Sequence, residues 1–309
     1  MNSTNSKTAV VLGANGFIGQ NLCLWLQQQG FTVIASDLGD KFAGATYMDG
    51  EVLYIKANLI DTAQANQLPL QQADLIFVMA GLTGTAAGFS QYAAYVGSNE
   101  MALLNVLHAY TQQQVVGRII FPSTRLVYKG VKNYILAEDA EKESKTVYAV
   151  NKLACEQYLW AWANAYHVRY TIFRICVPYG QLLPGPYSFG TLGFMLRQAR
   201  EKGVIELYGD GSQRRTFTHV ADLCTIMTQA SLLPHTQGRT FNIGSRDHLS
   251  LKELAELVAQ KTGATIAFKP WPELDKAIES GDTMFDDSLL QSLYPYTYAG
   301  SIASYIQSL

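Results

Sequence analysis

The sequence carries little charge and no excess of either sign. Only 16% of its 309 residues are Asp, Glu, Lys or Arg, and the formal net charge at pH 7 is −2. A nearly neutral chain lacks the general electrostatic attraction by which proteins bind nucleic acids or anionic membranes. We therefore expect neither a nucleic-acid partner nor binding to a membrane surface.

Cysteine is scarce, and histidine does not occur in metal-binding patterns. The cysteines are far apart without a CxxC pair, and no histidine forms a metal-like pair with a carboxylate or cysteine. These patterns argue against a zinc site and against a disulfide framework, and they indicate reduced core thiols in a cytoplasmic protein. We expect no bound metal. The cysteines are Cys23, Cys155, Cys176 and Cys224.

The sequence also lacks long apolar segments. No run approaches the roughly 20 residues that span a bilayer. The N-terminal stretch MNSTNSK is polar and leads directly into a predicted strand, so it resembles neither a signal peptide nor a transit peptide. We therefore expect a soluble protein without a membrane anchor.

What the first half does contain is a series of short apolar runs separated by helix-length segments. Apolar runs of this length indicate parallel strands covered on both faces, which predicts an α/β fold with a Rossmann-type doubly wound parallel sheet. The predicted strands are KTAVVLG, FTVIASD, EVLYIKA, ADLIFVMA, GRIIFPS and RYTIFRIC, followed by VIELYG and RTFNIG. Helices are predicted at about 16–29, 90–113, 145–166, 188–202, 220–232 and 250–261.

The composition changes after residue 176. The stretch VPYGQLLPGPYSFG concentrates proline, glycine and tyrosine, which is typical of a loop leaving a sheet. We predict a cofactor-binding Rossmann domain at 1–176 and a smaller substrate-binding lobe at 177–309. Because RTFNIG is apolar, the lobe is expected to be interleaved with the first domain, which about 215–247 would rejoin.

A glycine-rich loop lies between the first predicted strand and the first predicted helix. Gly13, Gly16 and Gly19 in VVLGANGFIGQNL let a backbone approach a pyrophosphate and let the helix sit close to the sheet. Asp37 ends the second strand, where a carboxylate can bind both adenosine ribose hydroxyls and repels a 2′-phosphate. This predicts NAD in preference to NADP. The alternative interpretations are that the three glycines form a turn without a ligand and that Asp37 is an ordinary strand-end aspartate.

Tyr148 and Lys152 lie four residues apart in a predicted helix. Such a pair is often a half-buried ring beside a solvated charge. A nearby ammonium can also stabilise phenolate, lowering the tyrosine pKa so that the phenol can exchange protons with an alcohol.

Several motifs in order resolve that choice. The glycine loop, Asp37, PSTRLVYK, YAVNK, YGDGSQRRTFTHVADL, FNIGS and LSLKELAELV together resemble an extended short-chain dehydrogenase/reductase, within which the sequence is similar to sugar-nucleotide epimerases and reductases. The resemblance covers nearly the whole chain. It implies a nucleotide-diphosphate sugar as substrate, and a homodimer formed through the helices at about 90–113 and 145–166.

The resemblance also implies roles for individual residues. Tyr148 would be the acid/base, Lys152 would hold the nicotinamide ribose while lowering the tyrosine pKa, and Thr124 would hydrogen-bond the reacting sugar hydroxyl. Asn99 would be a helix asparagine behind the site, or equally a structural polar contact. The expected cofactor-binding residues are Gly13, Asn15, Gly16, Phe17, Ile18, Gly19, Asp37, Asn58, Leu59, Ala80, Gly81, Tyr148 and Lys152. The expected substrate-binding residues are Thr83, Thr124, Arg125, Gln213 and Arg215.

The reaction type stays open between two enzymes. Arg125 and Leu126 occupy positions where the family's 4,6-dehydratases carry an Asp–Glu pair, which argues against dehydration. An epimerase, acting by transient oxidation at carbon 4 with bound NAD, is favoured by Asp37; a reductase of nucleotide 4-keto-6-deoxysugars is the alternative. Val177 replaces an asparagine that contacts substrate phosphates in many epimerases, which weakens the epimerase interpretation. A catalytically silent NAD-binding sensor or scaffold is a third hypothesis.

Overall fold

Strands and helices alternate along the chain in the computed structural model, which describes residues 6–49, 52–185 and 187–309. The strands are β1 (Thr8–Leu12), β2 (Thr32–Asp37), β3 (Leu53–Lys56), β4 (Leu75–Val78), β5 (Arg118–Thr124), β6 (Ile135–Leu136), β7 (Tyr170–Ile175), β8 (Val177–Tyr179), β9 (Val204–Tyr208), β10 (Arg214–His219), β11 (Arg239–Asn242), β12 (Asp247–Ser250), β13 (Thr265–Lys269) and β14 (Met284–Phe285). The α-helices are α1 (Phe17–Gln28), α2 (Thr62–Gln67), α3 (Ala87–Ser90), α4 (Tyr92–Tyr95), α5 (Ala102–Gln112), α6 (Val147–Tyr166), α7 (Gly190–Lys202), α8 (Val220–Leu232), α9 (Leu251–Thr262), α10 (Glu273–Ile278), α11 (Ser288–Leu293) and α12 (Ile302–Ser308).

The central element is a seven-stranded parallel sheet with the strand order β11-β7-β5-β4-β1-β2-β3. The chain builds outward from β1 toward β3 and then returns to build from β4 toward β11. The strand order therefore reverses between β1 and β4, and a crevice opens there beyond the carboxyl ends of the strands. The predicted doubly wound α/β sheet is confirmed.

Alternating side chains of the strands feed two separate cores. In β1, Ala9 and Val11 pack into the core beneath α1 and α8, whereas Val10 and Leu12 pack into the core beneath α5 and α6. Successive side chains of a strand point to opposite faces, so a run of buried apolar residues can serve both layers. This is why the strand reads as continuously apolar.

The second half of the chain forms smaller sheets around a third core. Strands β12, β10 and β8 form a three-stranded sheet, β13 pairs with β9, and β14 pairs with β6. Strand β11 joins the edge of the large sheet, and α8 packs against α1. The third core is formed mainly by α7, α9 and α12 together with β8, β9 and β10.

The stretch predicted as one regular helix at 90–113 is not regular. After α3 and α4, residues Val96–Met101 form a π-helical segment that continues into α5. A π-helical turn contains an extra residue and is frequent at functional sites. Here it contains Asn99, whose amide Nδ2 donates to the Leu82 carbonyl at 3.1 Å.

Three further predictions concerned the N-terminus, the thiols and the membrane. The stretch interpreted above as free of a targeting signal begins with residues 1–5, which lie outside the described residues. All four cysteines are buried as free thiols. Among the described helices, none combines the length and apolar character required to cross a bilayer.

Candidate active site

A cleft lies at the carboxyl ends of β1, β2 and β4, where the strand order reverses. It encloses about 320 Å³. Eight of the predicted cofactor-binding residues lie in its wall: Gly13, Asn15, Gly16, Asp37, Asn58, Leu59, Ala80 and Gly81. The cleft therefore brings together residues from four separate segments of the chain. The sequence had connected these segments only through the resemblance to a known family.

The glycine loop fits the close approach of a phosphate group. A Cβ atom at Gly13 would lie 2.4 Å from the Ala80 nitrogen, and one at Gly19 would lie 2.1 Å from the Gly13 oxygen. Both contacts are far below any allowed separation, so the loop, β4 and α1 pack this closely only with glycine. Helix α1 has no side-chain cap at Gly16 and no acidic residue in its first turn. Its amino-terminal N–H groups are thus available to an anion.

Asp37 lies at the end of β2, on the rim of the same cleft. Its carboxylate accepts a hydrogen bond from the backbone nitrogen of Asn15 at 2.8 Å and one from that of Leu38 at 2.7 Å. These bonds hold the carboxylate against the glycine loop and leave further lone pairs for a ligand. The placement fits recognition of ribose hydroxyls and disfavours a 2′-phosphate.

A second cavity of about 500 Å³ meets the first at Gly16, Met79, Ala80 and Gly81. The predicted residues in its wall are Gly16, Phe17, Ile18, Gly19, Ala80, Gly81, Thr83, Thr124, Arg125, Tyr148 and Lys152. Thr124 ends β5, whereas Tyr148 and Lys152 lie on one face of α6, whose first turn is capped by Thr146. The joined cavities suit an extended dinucleotide with a second ligand beyond it.

The Tyr148 phenol lies in an environment that favours its protonated form. Burial raises the pKa of Tyr148, while a hydrogen bond with Thr124 and the positive charge of Arg125 act in the opposite direction. Lys152 is not the cation with the clearest effect here: its Nζ lies 5.9 Å from the Tyr148 ring centroid. Forming phenolate therefore requires additional positive charge in this cavity.

Lys152 is itself buried, with only 5% of its surface exposed. Its Nζ donates to the Pro122 carbonyl at 2.9 Å and lies 4.3 Å from the centroid of the Phe121 ring. Burial lowers the pKa of Lys152 to about 8, partly offset by Cys155 and Glu156. Two further N–H donors of the ammonium are left for a ligand in the cavity.

This burial predicts a pH-dependent stability difference between the ligand-free protein and its Lys152→Met variant. From about pH 8 to about 10.4, unfolded chains bind a proton that folded ones have lost, so Lys152 makes stability rise with pH. Below that window its burial cost is constant. Urea unfolding across pH 7–10.5 should show the wild type gaining on Lys152→Met only inside this window.

The matched control is Lys252→Met, at a lysine of α9 whose side chain is about half exposed. The difference in free energy of unfolding between Lys252→Met and the wild type should not show the change between about pH 8 and about pH 10.4 that is expected for Lys152→Met. Parallel stability curves for the wild type and Lys152→Met would contradict the assignment of a depressed pKa to Lys152.

The π-helical segment presents Asn99 to the cavity from behind. The Asn99 side-chain oxygen is buried without a hydrogen-bond partner among the described residues, and a Cβ at Gly81 would lie 2.3 Å from it. Its backbone carbonyl accepts a bond from the Cys155 thiol at 3.3 Å. A buried unpaired acceptor is costly, so this oxygen is open to a donor from a ligand or a water, while Nδ2 makes the structural contact with Leu82.

Behind Thr124, a buried polar network connects β5, α6 and β7. The Ser123 hydroxyl donates to Glu156 at 2.5 Å, and Arg174 forms a two-pronged ion pair with Glu156, with Nη2 2.6 Å from Oε2. Arg174 also donates to the Tyr128 hydroxyl at 2.7 Å, which in turn donates to Asn242 at 2.7 Å. The network fixes the strand end that carries Thr124.

The remaining predicted substrate residues are placed differently from one another. Thr83, Thr124 and Arg125 lie in the cavity wall, but among the described residues that wall includes neither Gln213 nor Arg215. Arg215 is 2% exposed and forms an ion pair with Glu279, with 2.5 Å between Nη2 and Oε1. The Gln213 oxygen is buried without a partner among the described residues.

Sequence reasoning missed two contributors to this region. Phe189, just before α7, stacks on Phe17, the first residue of α1, with ring centroids 3.8 Å apart and an angle of 6° between the rings. Glu279, in the loop after α10, neutralises Arg215. Neither residue lies in a motif, and both reach the site from distant parts of the chain, so no local pattern could have identified them.

Comparison with known proteins places the chain in one family. The model of the NAD dependent epimerase/dehydratase family matches residues 9–244. An uncharacterised UDP-glucose epimerase of Bacillus subtilis is 28% identical, covering 95% of this chain and 93% of the relative. A dTDP-L-rhamnose 4-epimerase of Burkholderia thailandensis is 26% identical, covering 90% of this chain and 86% of the relative.

A solved structure supports the same relationship. MoeE5 in complex with UDP-glucuronic acid and NAD superposes with a TM-score of 0.82 at 25% identity, covering 97% of this chain and 96% of that one. The similarity extends over both the large sheet and the smaller sheets.

Proposed function

Because this chain belongs to the NAD-dependent epimerase/dehydratase family and NAD is its cofactor, we propose that it is a nucleotide-sugar epimerase that inverts carbon 4. Nucleotide-sugar chemistry is common to the named relatives. The choice of carbon 4 is supported by the relative named as a dTDP-L-rhamnose 4-epimerase. The site residues assigned from the sequence are part of this proposal.

One observation carries the proposal. Thr124, Tyr148 and Lys152 line a single cavity that opens into the cleft containing the glycine loop and Asp37. A hydroxyl, a phenol and an ammonium beside a dinucleotide cleft are suited to removing a proton from an alcohol while its carbon is oxidised. The cavity volume of about 500 Å³ leaves room for a sugar ring to change its presented face.

The residues of the chain handle the proton and the position of the sugar. NAD, when bound, supplies the hydride acceptor and donor for carbon 4 together with a positive charge beside the phenol. Thr124 hydrogen-bonds the reacting hydroxyl, and Tyr148 Oη takes its proton as the ketone forms. After the keto sugar turns, Tyr148 returns the proton to the oxygen. Lys152 holds the ribose of the cofactor, and its charge adds to those of Arg125 and the bound cofactor in favouring phenolate.

The alternatives are weaker. The relatives reported above are named as epimerases, so the keto-sugar reductase is not needed to account for the site. A silent NAD-binding scaffold has no use for a phenol, a threonine hydroxyl and a buried ammonium converging on one cavity. Keeping a buried charge costs stability, which favours a catalytic role for Lys152.

The direct test is product analysis with purified protein and a panel of nucleotide sugars, including UDP-glucose and dTDP-L-rhamnose. The expected result is a carbon-4 epimer at equilibrium with its substrate, without net consumption of NAD. Stoichiometric consumption of added NADH with a keto sugar would instead support the reductase. Absence of any conversion across the panel would overturn the epimerase.

The division of the chain is also proposed on this basis. Residues 1–176, rejoined by about 215–247, would bind NAD, and 177–309 would form the substrate lobe. Support comes from β11 lying beside β7 in the large sheet and from the separate core around α7, α9 and α12.

A homodimer is proposed through the helices predicted at about 90–113 and 145–166, which include the π-helical segment and α6. Val96, Met101, Val150 and Trp160 are exposed on these elements, and Trp160 is 60% exposed. Burying such side chains between two copies would stabilise the pair, because aromatic and aliphatic surface gains most from leaving water.

Changing Trp160 to glutamate is expected to convert the dimer into monomers, because a charge would be buried at the centre of the contact. Sedimentation velocity at several protein concentrations measures this. Phe268→Glu, at an exposed aromatic residue of β13, is the matched control and should remain dimeric. A wild-type protein that sediments as a monomer at all concentrations would refute the homodimer.

A further inference from the structure

Two arginines and one carboxylate lie beside the candidate sugar cavity. Burial lowers the pKa of Arg125 to about 10, the positive charge of Arg215 lowers it further, and the negative charge of Glu279 raises it, so the three groups interact electrostatically. Glu279 forms its ion pair with Arg215. Asp282, in the same loop, accepts hydrogen bonds from the backbone nitrogens of Asn133 and Arg214. The Arg125, Arg215 and Glu279 cluster thus carries a net positive charge.

Arg125 is the member of the cluster that faces open space. Its Nη1 donates to the Ser280 hydroxyl at 2.8 Å and to the Thr283 hydroxyl at 3.4 Å. Within the described residues, no carboxylate lies at ion-pair distance from Arg125. Neither its Nε nor its Nη2 is a side-chain atom that is both buried and without a hydrogen-bond partner. Because Arg125 lines the cavity, these donors are available to a ligand there.

The position of this charge decides which part of a nucleotide sugar it would meet. Arg125 follows Thr124 directly and influences the Tyr148 phenol electrostatically. In the proposed reaction Thr124 and Tyr148 contact the reacting carbinol. The diphosphate is attached at carbon 1, on the far side of the sugar ring. Guanidinium donors beside Tyr148 therefore face the substituents of the sugar, not its nucleotide.

From this geometry we propose that the substrate is a nucleotide sugar carrying a carboxylate on its ring, and that Arg125 binds that carboxylate. The inference rests on the proposed epimerase function and specifies its substrate class. A planar guanidinium with two adjacent free donors matches a carboxylate, and a neutral hydroxymethyl group would leave those donors and the cluster's charge uncompensated. The enzyme should therefore prefer uronic-acid sugars to neutral ones.

The test compares UDP-glucuronic acid with UDP-glucose, which share the nucleotide and the diphosphate and differ at the carboxylate. Turnover and calorimetric binding are measured for both in the wild type and in Arg125→Gln. The wild type should prefer the uronate, and Arg125→Gln should lower the ratio of the two kcat/KM values, and of the two affinities, by about 10- to 100-fold. Arg197→Gln, at an exposed arginine of α7, is the control and should leave the ratio unchanged.

A second variant moves the ratio in the opposite direction. Glu279→Gln keeps the size of the side chain but removes the negative charge beside Arg215, so the cluster becomes more positive. This variant should raise the preference for the uronate. It also keeps the proposal testable if Arg125→Gln misfolds, because an increased preference for the uronate cannot come from loss of structure.

The outcomes separate the two proposals. Equal weakening of both sugars by Arg125→Gln would mean that Arg125 binds the shared diphosphate, which overturns the carboxylate inference and leaves the epimerase standing. Equal use of both sugars by the wild type and all variants would overturn it as well. Failure to bind or convert either sugar would overturn the carboxylate inference, and the epimerase proposal would then be decided by the wider panel of nucleotide sugars. Selective binding of the uronate without turnover would preserve only the carboxylate site.

Discussion

Replacing Tyr148 with phenylalanine is expected to lower kcat for nucleotide-sugar epimerisation by about 10²- to 10⁴-fold, the usual contribution of a positioned acid/base. The change removes one oxygen, the atom proposed to take and return the proton of the sugar hydroxyl. The ring stays in place on α6, so the fold and the cleft around the glycine loop should persist. Initial-rate kinetics together with NAD binding by calorimetry measure the two effects separately.

The same helix provides the matched control. Tyr166 is 57% exposed at the carboxyl end of α6, and Tyr166→Phe should leave both kcat and NAD binding at wild-type values. If Tyr148→Phe keeps wild-type turnover, Tyr148 is not the acid/base. If it loses turnover together with NAD binding, the tyrosine acts in holding the cofactor and the proton route must be sought elsewhere.

Replacing Glu156 with alanine should reduce the free energy of unfolding by about 3–5 kcal/mol, because it leaves the Arg174 guanidinium buried without its partner. The side chains of Arg174 and Glu156 are only 7% and 4% exposed, and the ion pair has two nearly parallel hydrogen bonds. The Ser123 hydroxyl would lose its acceptor as well. Urea unfolding followed by circular dichroism measures the loss.

An exposed ion pair is the matched control and should contribute much less to the free energy of unfolding. Glu256→Ala breaks a pair with Lys252 in which the charged atoms are 3.9 Å apart and both side chains are more than half exposed, so it should cost only about 0.3–0.5 kcal/mol. Replacing Glu156 and Arg174 together by methionine should recover most of the loss, because no buried charge is then left unpaired. Equal effects of the two single alanine variants would show that the buried pair does not anchor the strand end.

Much of the large sheet and of the cofactor cleft could be predicted from local spacing. The apolar run of β1 predicted a strand buried on both faces, and the structure divides its side chains between two cores. The three glycines predicted a tight loop, and Gly13 and Gly19 lie where a Cβ would meet backbone atoms. Tyr148 and Lys152 are one helical turn apart, so their common face followed from the sequence alone.

The helix at 90–113 shows where this local reasoning fails. The apolar spacing predicts a helix correctly but does not distinguish an α-helix from one with a π-helical turn, because the two differ by a single residue in the repeat. The turn is fixed by contacts across the chain, including the bond from Asn99 to the Leu82 carbonyl. Packing against a distant segment therefore determined the local geometry.

The electrostatics of the site could likewise be determined only from the tertiary structure, because they also depend on contacts between distant segments. The sequence identified Arg125 and Arg215 as candidate substrate residues, but it did not reveal that Glu279 neutralises only one of them. It also predicted that Lys152 lowers the pKa of Tyr148, whereas burial raises the pKa of the phenol and lowers that of the ammonium. Local sequence determines which groups share a strand or a helix face, because those spacings are short and periodic. Burial and charge pairing depend on segments more than 60 residues apart, such as those of Arg215 and Glu279, and only the folded chain brings them together.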